Sequence, residues 1–259
     1  MTIRNDDKSI EYIKDIFDAR PVNDDIKAEI LRTHHLHRER LAETLLEAEV
    51  DDQKVFIWHS AVYGIGPAEH VAFYNQFIRR CDERPSAIYL GCLQAAVTTE
   101  AEPGDLVVAT SAYSDDEVFG ALARTSKPEH FDKALSSELL RSARARFGKV
   151  HTGQVYSTNS GCLPWQDLTK KSEGWDNAWK KFSLSWGPQN GFQFGEYETG
   201  DFVAMCSNLS LPSAMIGYVR EKYYPDGSYQ SAVQGSPSNL VKKLLLVVND
   251  SLRKPPVRF

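Results

Sequence analysis

Apolar residues in the first fifty positions recur at helical spacing. Across positions 9–20, Ile10, Ile13, Ile16 and Phe17 fall on one face, and Pro21 stops the run. Asn23 and Asp24 then cap a longer predicted helix, whose stripe includes Ile26, Ile30, Leu31, Leu41, Leu45 and Leu46 and which ends near Val50-Asp51-Asp52. Beyond it, short apolar runs alternate with amphipathic stretches. Strands are predicted at 55–58, 87–91, 105–110, 150–158, 192–196 and 212–219, and helices at 68–81, 129–147, 199–209 and 237–252. Positions 161–190 hold Trp165, Trp175, Trp179 and Trp186 among charges, and read as short helices and loops forming part of a wall or lid. Short apolar strands alternating with amphipathic helices indicate a largely parallel or mixed sheet covered on both faces. The expected fold is α/β: a single three-layer αβα domain with a mixed central sheet over 53–259, preceded by a helical N-terminal segment over 1–52.

Composition narrows the class. A chain of 259 residues that is 42% hydrophobic can bury a sizeable core, and no repeat, low-complexity tract or flexible linker divides it. The four cysteines, Cys81, Cys92, Cys162 and Cys206, form no CxxC pair and no dense framework, which argues against a zinc ribbon and a disulfide-stapled secreted domain. A formal net charge of -5 leaves no electrostatic footprint for a nucleic-acid partner. The first seven residues lack the apolar core of a signal peptide, and no run approaches the roughly 20 apolar residues that a bilayer span needs. A cytoplasmic protein with no membrane partner is expected.

Familiar chemical motifs are few. His34 and His37 stand one helical turn apart, with only the arginine-flanked Glu39 near them, and read as a polar helix face rather than a metal site. Gly64-Ile65-Gly66 lacks the third glycine of a dinucleotide loop, because Glu69 occupies that place. Neither a Gly-x-Ser-x-Gly elbow nor a Gly-Lys-Ser/Thr loop occurs. No metal or organic cofactor is indicated. More informative are the polar groups at the ends of successive predicted strands: Gly91-Cys92, Ser114-Asp115-Asp116-Glu117, Thr158-Asn159-Ser160, Glu196-Tyr197-Glu198 and Arg220-Glu221-Lys222. Ligands of open α/β sheets collect outside the carboxyl ends of strands, so these groups jointly mark a candidate binding cleft.

Five stretches, in this order, carry a resemblance. They are Tyr63-Gly64-Ile65-Gly66-Pro67-Ala68; Tyr89-Leu90-Gly91-Cys92 followed by Pro103-Gly104-Asp105-Leu106-Val107-Val108-Ala109-Thr110; Val150-His151-Thr152-Gly153-Gln154-Val155-Tyr156-Ser157-Thr158-Asn159-Ser160; Gly195-Glu196-Tyr197-Glu198-Thr199-Gly200; and Ala214-Met215-Ile216-Gly217-Tyr218-Val219-Arg220-Glu221-Lys222. Together they resemble the purine nucleoside phosphorylase and uridine phosphorylase superfamily, which includes AMP nucleosidase and the methylthioadenosine/S-adenosylhomocysteine nucleosidases. The resemblance covers about 55–252, and the stretch around Ser114 is closest to the AMP nucleosidase branch.

The resemblance implies a phosphorylase/hydrolase-like domain that cleaves the N-glycosidic bond of a purine nucleoside or nucleotide. Such a bond breaks through an oxocarbenium-like transition state, so the sugar must be held and the departing base stabilised. Glu198 matches the superfamily's ribose-binding glutamate, Tyr197 replaces a methionine beneath the sugar, and Glu196 precedes them. Phe192 is placed either to stack on the base or to serve as a plain core aromatic. Glu221 matches the acid that protonates the leaving purine, with Asp226 in the Pro225-Asp226-Gly227 turn as a fallback; Arg220 beside Glu221 opposes the acid role.

Three departures set the chain apart from phosphorylases: a helical N-terminus in place of the first phosphate loop, Ser114 where an arginine is usual, and Cys92-Leu93-Gln94-Ala95-Ala96 where a double glycine is frequent. They favour water as the attacker, oriented by Ser114 or Asn159, with phosphorolysis and a catalytically impaired nucleoside- or nucleotide-binding protein as alternatives. The implied partners are a nucleoside or nucleotide substrate, phosphate in the phosphorolytic reading, and further copies of the chain in a dimer or hexamer. Arg20, Arg38 or Arg40 would then supply a phosphate clamp across the interface.

Overall fold

The computed structural model describes residues 7–21, 44–59, 85–94, 96–98, 100–114, 128–158, 175–196, 199–232 and 237–253. The chain opens with α1 (Asp7–Phe17), β1 (Arg20–Pro21), β2 (Thr44–Val50) and β3 (Gln53–His59). The α1 helix confirms the apolar face read from Ile10, Ile13, Ile16 and Phe17. Thr44–Val50, expected to end a helix, is instead a strand. Leu46, Ala48 and Val50 are buried while Glu47 and Glu49 are more open, the two-residue period of a half-covered strand. Asp51 and Asp52 adopt φ of 47° and 62°, the left-handed pair of a two-residue hairpin turn, and Val50 pairs with Gln53 across it. The N-terminal segment is therefore not wholly helical, and the contrast drawn with a phosphate loop on that ground falls away. Its residues 22–43, and the predicted glycine turn and helix within 60–84, lie outside the described residues.

The main body runs β4 (Ile88–Gln94), β5 (Ala96–Val97), β6 (Leu106–Ser114), β7 (Glu129–His130), α2 (Lys133–Phe147), β8 (Val150–Ser157), α3 (Trp175–Lys181), a π-helical turn (Phe182–Trp186), α4 (Gly187–Gln189), β9 (Phe194–Glu196), α5 (Thr199–Asn208), β10 (Ser213–Val219), β11 (Glu221–Tyr223), β12 (Tyr229–Ser231) and α6 (Pro237–Leu252). Positions 129–130, read as the start of a helix, pair with β6 instead, and α2 begins after Asp132, whose carboxylate accepts from the Leu135 N–H at 2.9 Å. The β11–β12 hairpin follows the strand expected to be the last.

The central sheet is mixed, in the order β4-β10-β6-β8-β9-β5, with β7 beside β6. Its strands are covered on both faces. Leu106, Val108, Ala214, Ile216 and Tyr218 pack under α2 and α6 through Leu135, Leu139, Ala143, Leu240, Leu244 and Val247. The alternate residues Val107, Ala109, Met215 and Val219 pack under α5 through Phe202, Val203, Met205 and Cys206. This is the three-layer αβα arrangement, and each Leu, Val or Ile sealed in it contributes roughly 1.5–3 kcal/mol. Outside α6, its residues Leu245, Val248 and Leu252 receive Ile13 and Phe17 of α1 and Leu46 and Val50 of β2.

The first and last strands of the sheet, β4 and β5, are parted by the single residue Ala95. One residue adds only about 3.5 Å of reach, so the sheet curls until its two ends meet, and β4 also touches β9. Curling brings the carboxyl end of β10, paired at Val219 with Gln94, round toward β9, whose Gly195 pairs with Ala96. Strand β11, which follows β10, rests on β5.

Candidate functional site

Strands β6, β8 and β9 are parallel and end side by side, with Ser114 opposite Ser157 and Ser157 opposite Glu196. Helix α5 begins against these ends. The Thr199 N–H donates to Glu196 Oε1 at 2.7 Å, the Gly200 N–H donates to Ser157 Oγ at 2.7 Å, and Ser157 Oγ in turn donates to Glu196 Oε1. Glu196 is 3% exposed, so it is a buried carboxylate capping the positive end of a helix. In the same first turn Asp201, 1% exposed, accepts from Ser114 Oγ at 2.6 Å. The absence of a side chain at Gly200 permits this seating: a Cβ there would stand 2.8 Å from the Ser114 nitrogen and the Tyr113 carbonyl. With the Thr199 and Gly200 amides taken and two carboxylates beside them, the described part of this helix end is not arranged as an anion cradle.

The expected site residues do not all fall together. Tyr197, Glu198 and Asn159 lie outside the described residues; their neighbours Glu196, Thr199 and Thr158 stand at the strand ends, with the Thr158 N–H donating to the Glu196 carbonyl at 3.0 Å. Gly91 lies within β4 opposite Ile216, exposed, and a Cβ built there meets no described atom within 4 Å; Cys92 pairs with Gly217. Glu221 opens β11, half-buried, and its Oε2 accepts from Tyr229 Oη at 2.9 Å. Asp226 is exposed in the hairpin turn, where hydrogen bonds from the Ser228 hydroxyl and N–H lower its pKa. It is thus a turn residue held ionised, poorly suited to give up a proton at neutral pH. Arg20 is exposed and paired with Glu47 of its own chain at 2.9 Å.

Phe192 is 8% exposed and packed as a core aromatic. Trp186 lies parallel to it with ring centroids 5.8 Å apart, and Tyr156 meets it edge-on at 5.0 Å. Trp179, Phe182 and Tyr223 complete this cluster, and the half-buried Tyr113 and Trp186 form its accessible members. Within the described part of the tryptophan-rich stretch, Trp179 and Trp186 therefore belong to an aromatic wall beside the strand ends. Composition singles out the tryptophans; Tyr113, one residue from Ser114, is not singled out because the predicted strand ends at Thr110, whereas β6 runs on to Ser114. Among the described residues no group of three His, Cys, Asp or Glu is placed to hold a metal, and no helix is long and apolar enough to cross a membrane.

No protein-family model matches the chain, and no curated protein matches it in sequence. Its structure is similar to that of purine nucleoside phosphorylase from Toxoplasma gondii in complex with immucillin-H. The TM-score is 0.67 at 12% identity, over 94% of this chain and 85% of that one. At that identity the likeness establishes the fold: the mixed-sheet αβα architecture of a nucleoside phosphorylase, as the sequence resemblance implied.

Proposed function

We propose that the protein cleaves the N-glycosidic bond of a purine nucleoside or nucleotide, with water as the nucleophile. The supporting observation is the placement of Glu196 and Thr199, on either side of Tyr197 and Glu198, at the carboxyl ends of three parallel strands in a nucleoside-phosphorylase fold. Glu198 is assigned to the 2′- and 3′-hydroxyls of the pentose, Tyr197 to the face of the sugar, and Glu221 to the departing base. Ser114 Oγ gives its proton to Asp201, so toward a water it acts as an acceptor. A water donating to Ser114 turns an oxygen lone pair away from it, in position to attack C1′. As the water oxygen bonds to C1′, the electron pair of the C–N bond leaves with the base. The base takes up a proton, and the water loses one.

Ser114 in place of a cation, and a helix end filled by Glu196 and Asp201, support hydrolysis over phosphorolysis. The strands found at 44–59 favour the second reading, phosphorolysis, because they remove one of the three departures from it. A dimer or hexamer sharing arginines across an interface belongs to the same proposal.

Incubation with adenosine, inosine, uridine, AMP and CMP, with and without phosphate, tests it. Base release without phosphate is the expected result. Strict dependence on phosphate would overturn hydrolysis, and binding without release would identify an impaired member. Neither binding nor release from any of the five would refute the reading.

A further inference from the structure

Glu102 lies in the turn before β6 and has no part in the chemistry assigned above. Its Oε1 accepts from Lys222 Nζ at 2.7 Å and its Oε2 from Tyr224 Oη at 2.5 Å, both side chains of the β11–β12 hairpin. The turn that carries it is fixed. The Glu102 N–H donates to Asp105 Oδ2 at 3.0 Å, and the Asp105 N–H donates to the Glu102 carbonyl at 2.9 Å. Asp105 is held in turn by Lys149 at 3.0 Å and His151 at 2.9 Å. The Gly104 N–H donates to the Val219 carbonyl at 2.8 Å and the Val219 N–H to the Asp105 carbonyl at 2.9 Å, which ties the block to the chain two residues before Glu221.

Alternation along β11 sorts its side chains. Lys222 and Tyr224 face Glu102, whereas Glu221 and Tyr223 face the other way. Tyr223 is buried in the cluster that contains Phe192, and its ring lies 5.0 Å from that of Tyr229, the residue that donates to Glu221. The hairpin is thus gripped on one face by a carboxylate and on the other by aromatic packing, with Glu221 on the aromatic side. The protonation states agree with this arrangement. Hydrogen bonds from Lys222 and then Tyr224 lower the Glu102 pKa, and Glu102 pushes the Tyr224 hydroxyl up to about 12, so at neutral pH one is an acceptor and the other a donor.

We propose that Glu102 is a positioning residue: through Lys222 and Tyr224 it sets where the hairpin holds Glu221 relative to the aromatic wall, and hence relative to the leaving base. This rests on the assignment of Glu221 under the proposed function.

Two measurements on the full chain test it: amide hydrogen exchange over residues 221–231, and steady-state base release. They are made on the wild type, Glu102→Ala, Glu102→Gln, Glu221→Gln and the Glu102→Ala/Glu221→Gln double variant. In Glu102→Ala, hairpin amides should exchange about tenfold faster or more while those of α2 and β8 are unchanged. Its kcat should fall about tenfold or more with KM within about twofold. Glu102→Gln keeps an acceptor for Tyr224 and should recover part of both. The double variant should be no slower than Glu221→Gln alone.

Unchanged hairpin exchange in Glu102→Ala overturns the proposal. So does a loss of rate that is as large in the Glu221→Gln background as in the wild type, or a silent Glu221→Gln in an active enzyme. A wild type that releases no base refutes the proposed function alone, and the exchange result then decides whether Glu102 places the hairpin.

Discussion

Replacing Gly200 with alanine opposes two effects whose sizes can be compared. At an unobstructed helical position the change stabilises by about 0.8–1 kcal/mol, because alanine is the better helix former. Here the new Cβ would stand 2.8 Å from the Ser114 nitrogen and from the Tyr113 carbonyl carbon and oxygen, about 0.6 Å inside the 3.4 Å at which ordinary contact begins. Those atoms are backbone of β6, paired with β8 and β10, so no side chain can swing aside and α5 itself must move. Overpacking of this kind costs about 1–3 kcal/mol. A shift of α5 also stretches the Gly200–Ser157 and Ser114–Asp201 hydrogen bonds, each contributing about 1 kcal/mol and more where a carboxylate accepts. The net expectation is a loss of about 2–4 kcal/mol, with a melting temperature lower by roughly 5–15 °C. Urea titration and calorimetry measure it, and Gly91→Ala in strand β4, whose Cβ meets no described atom within 4 Å, controls for the obstruction though not for the helix-propensity gain. A Gly200→Ala protein as stable as the wild type, or more so, would refute the seating of α5 on the end of β6.

Further expectations concern charge and catalysis. Glu196→Ala orphans the buried donors Ser157 Oγ and Thr199 N–H and should cost about 2–5 kcal/mol in urea titration; an unmoved midpoint would deny Glu196 its capping role. Glu198→Ala should retain the far-ultraviolet spectrum while base release falls about a hundredfold or more, and equal activity would undo the site assignment. Glu102 is lowered from 4.5 by Lys222 and Tyr224. Asp105 is lowered from 3.8: burial pushes it up, but the Glu102 N–H, Lys149 and His151 outweigh that. Stability from these depressed values is present in full above pH 4.5 and is lost as pH falls through the folded-state values. Glu102→Gln should show a shallower acid decline in pH-dependent denaturation, and an identical acid limb would refute the coupling.

The doubly covered strands were readable because their apolar runs are flanked by turn residues: β4, β6, β8 and β10 each overlap a predicted segment. Thr44–Val50 was misread because Leu, Glu and Ala are all strong helix formers and Leu41, Leu45 and Leu46 share helical spacing. The alternation of Leu46, Ala48 and Val50 with Glu47 and Glu49 was present but spans too few residues to outweigh that spacing. The β11–β12 hairpin announced itself only by Pro225-Asp226-Gly227, since Glu-Lys-Tyr and Tyr-Gln-Ser carry no apolar period. At the site, polar residues at strand ends were legible from position alone. The roles of Glu196 as a cap and Glu102 as an anchor were not, because each depends on a partner 39 to 122 residues away.

The seam where β4 runs into β5 has a consequence for how the polypeptide is made. When synthesis has reached Asn190, both flanks of that seam have already been made. Yet, among the described residues, β4 joins the sheet through β10 and β5 through β9, neither of which has been synthesised. Ile88 awaits Ser213, and Ala96 awaits Gly195, sequence separations of about a hundred residues or more. Assembly of the barrel-like ring is thus delayed until β9 and β10 have been made, and loop closure over such distances makes it a slow event. A product truncated before Ser213 lacks β10, the strand that joins β4 to β6, and so carries an unfinished ring.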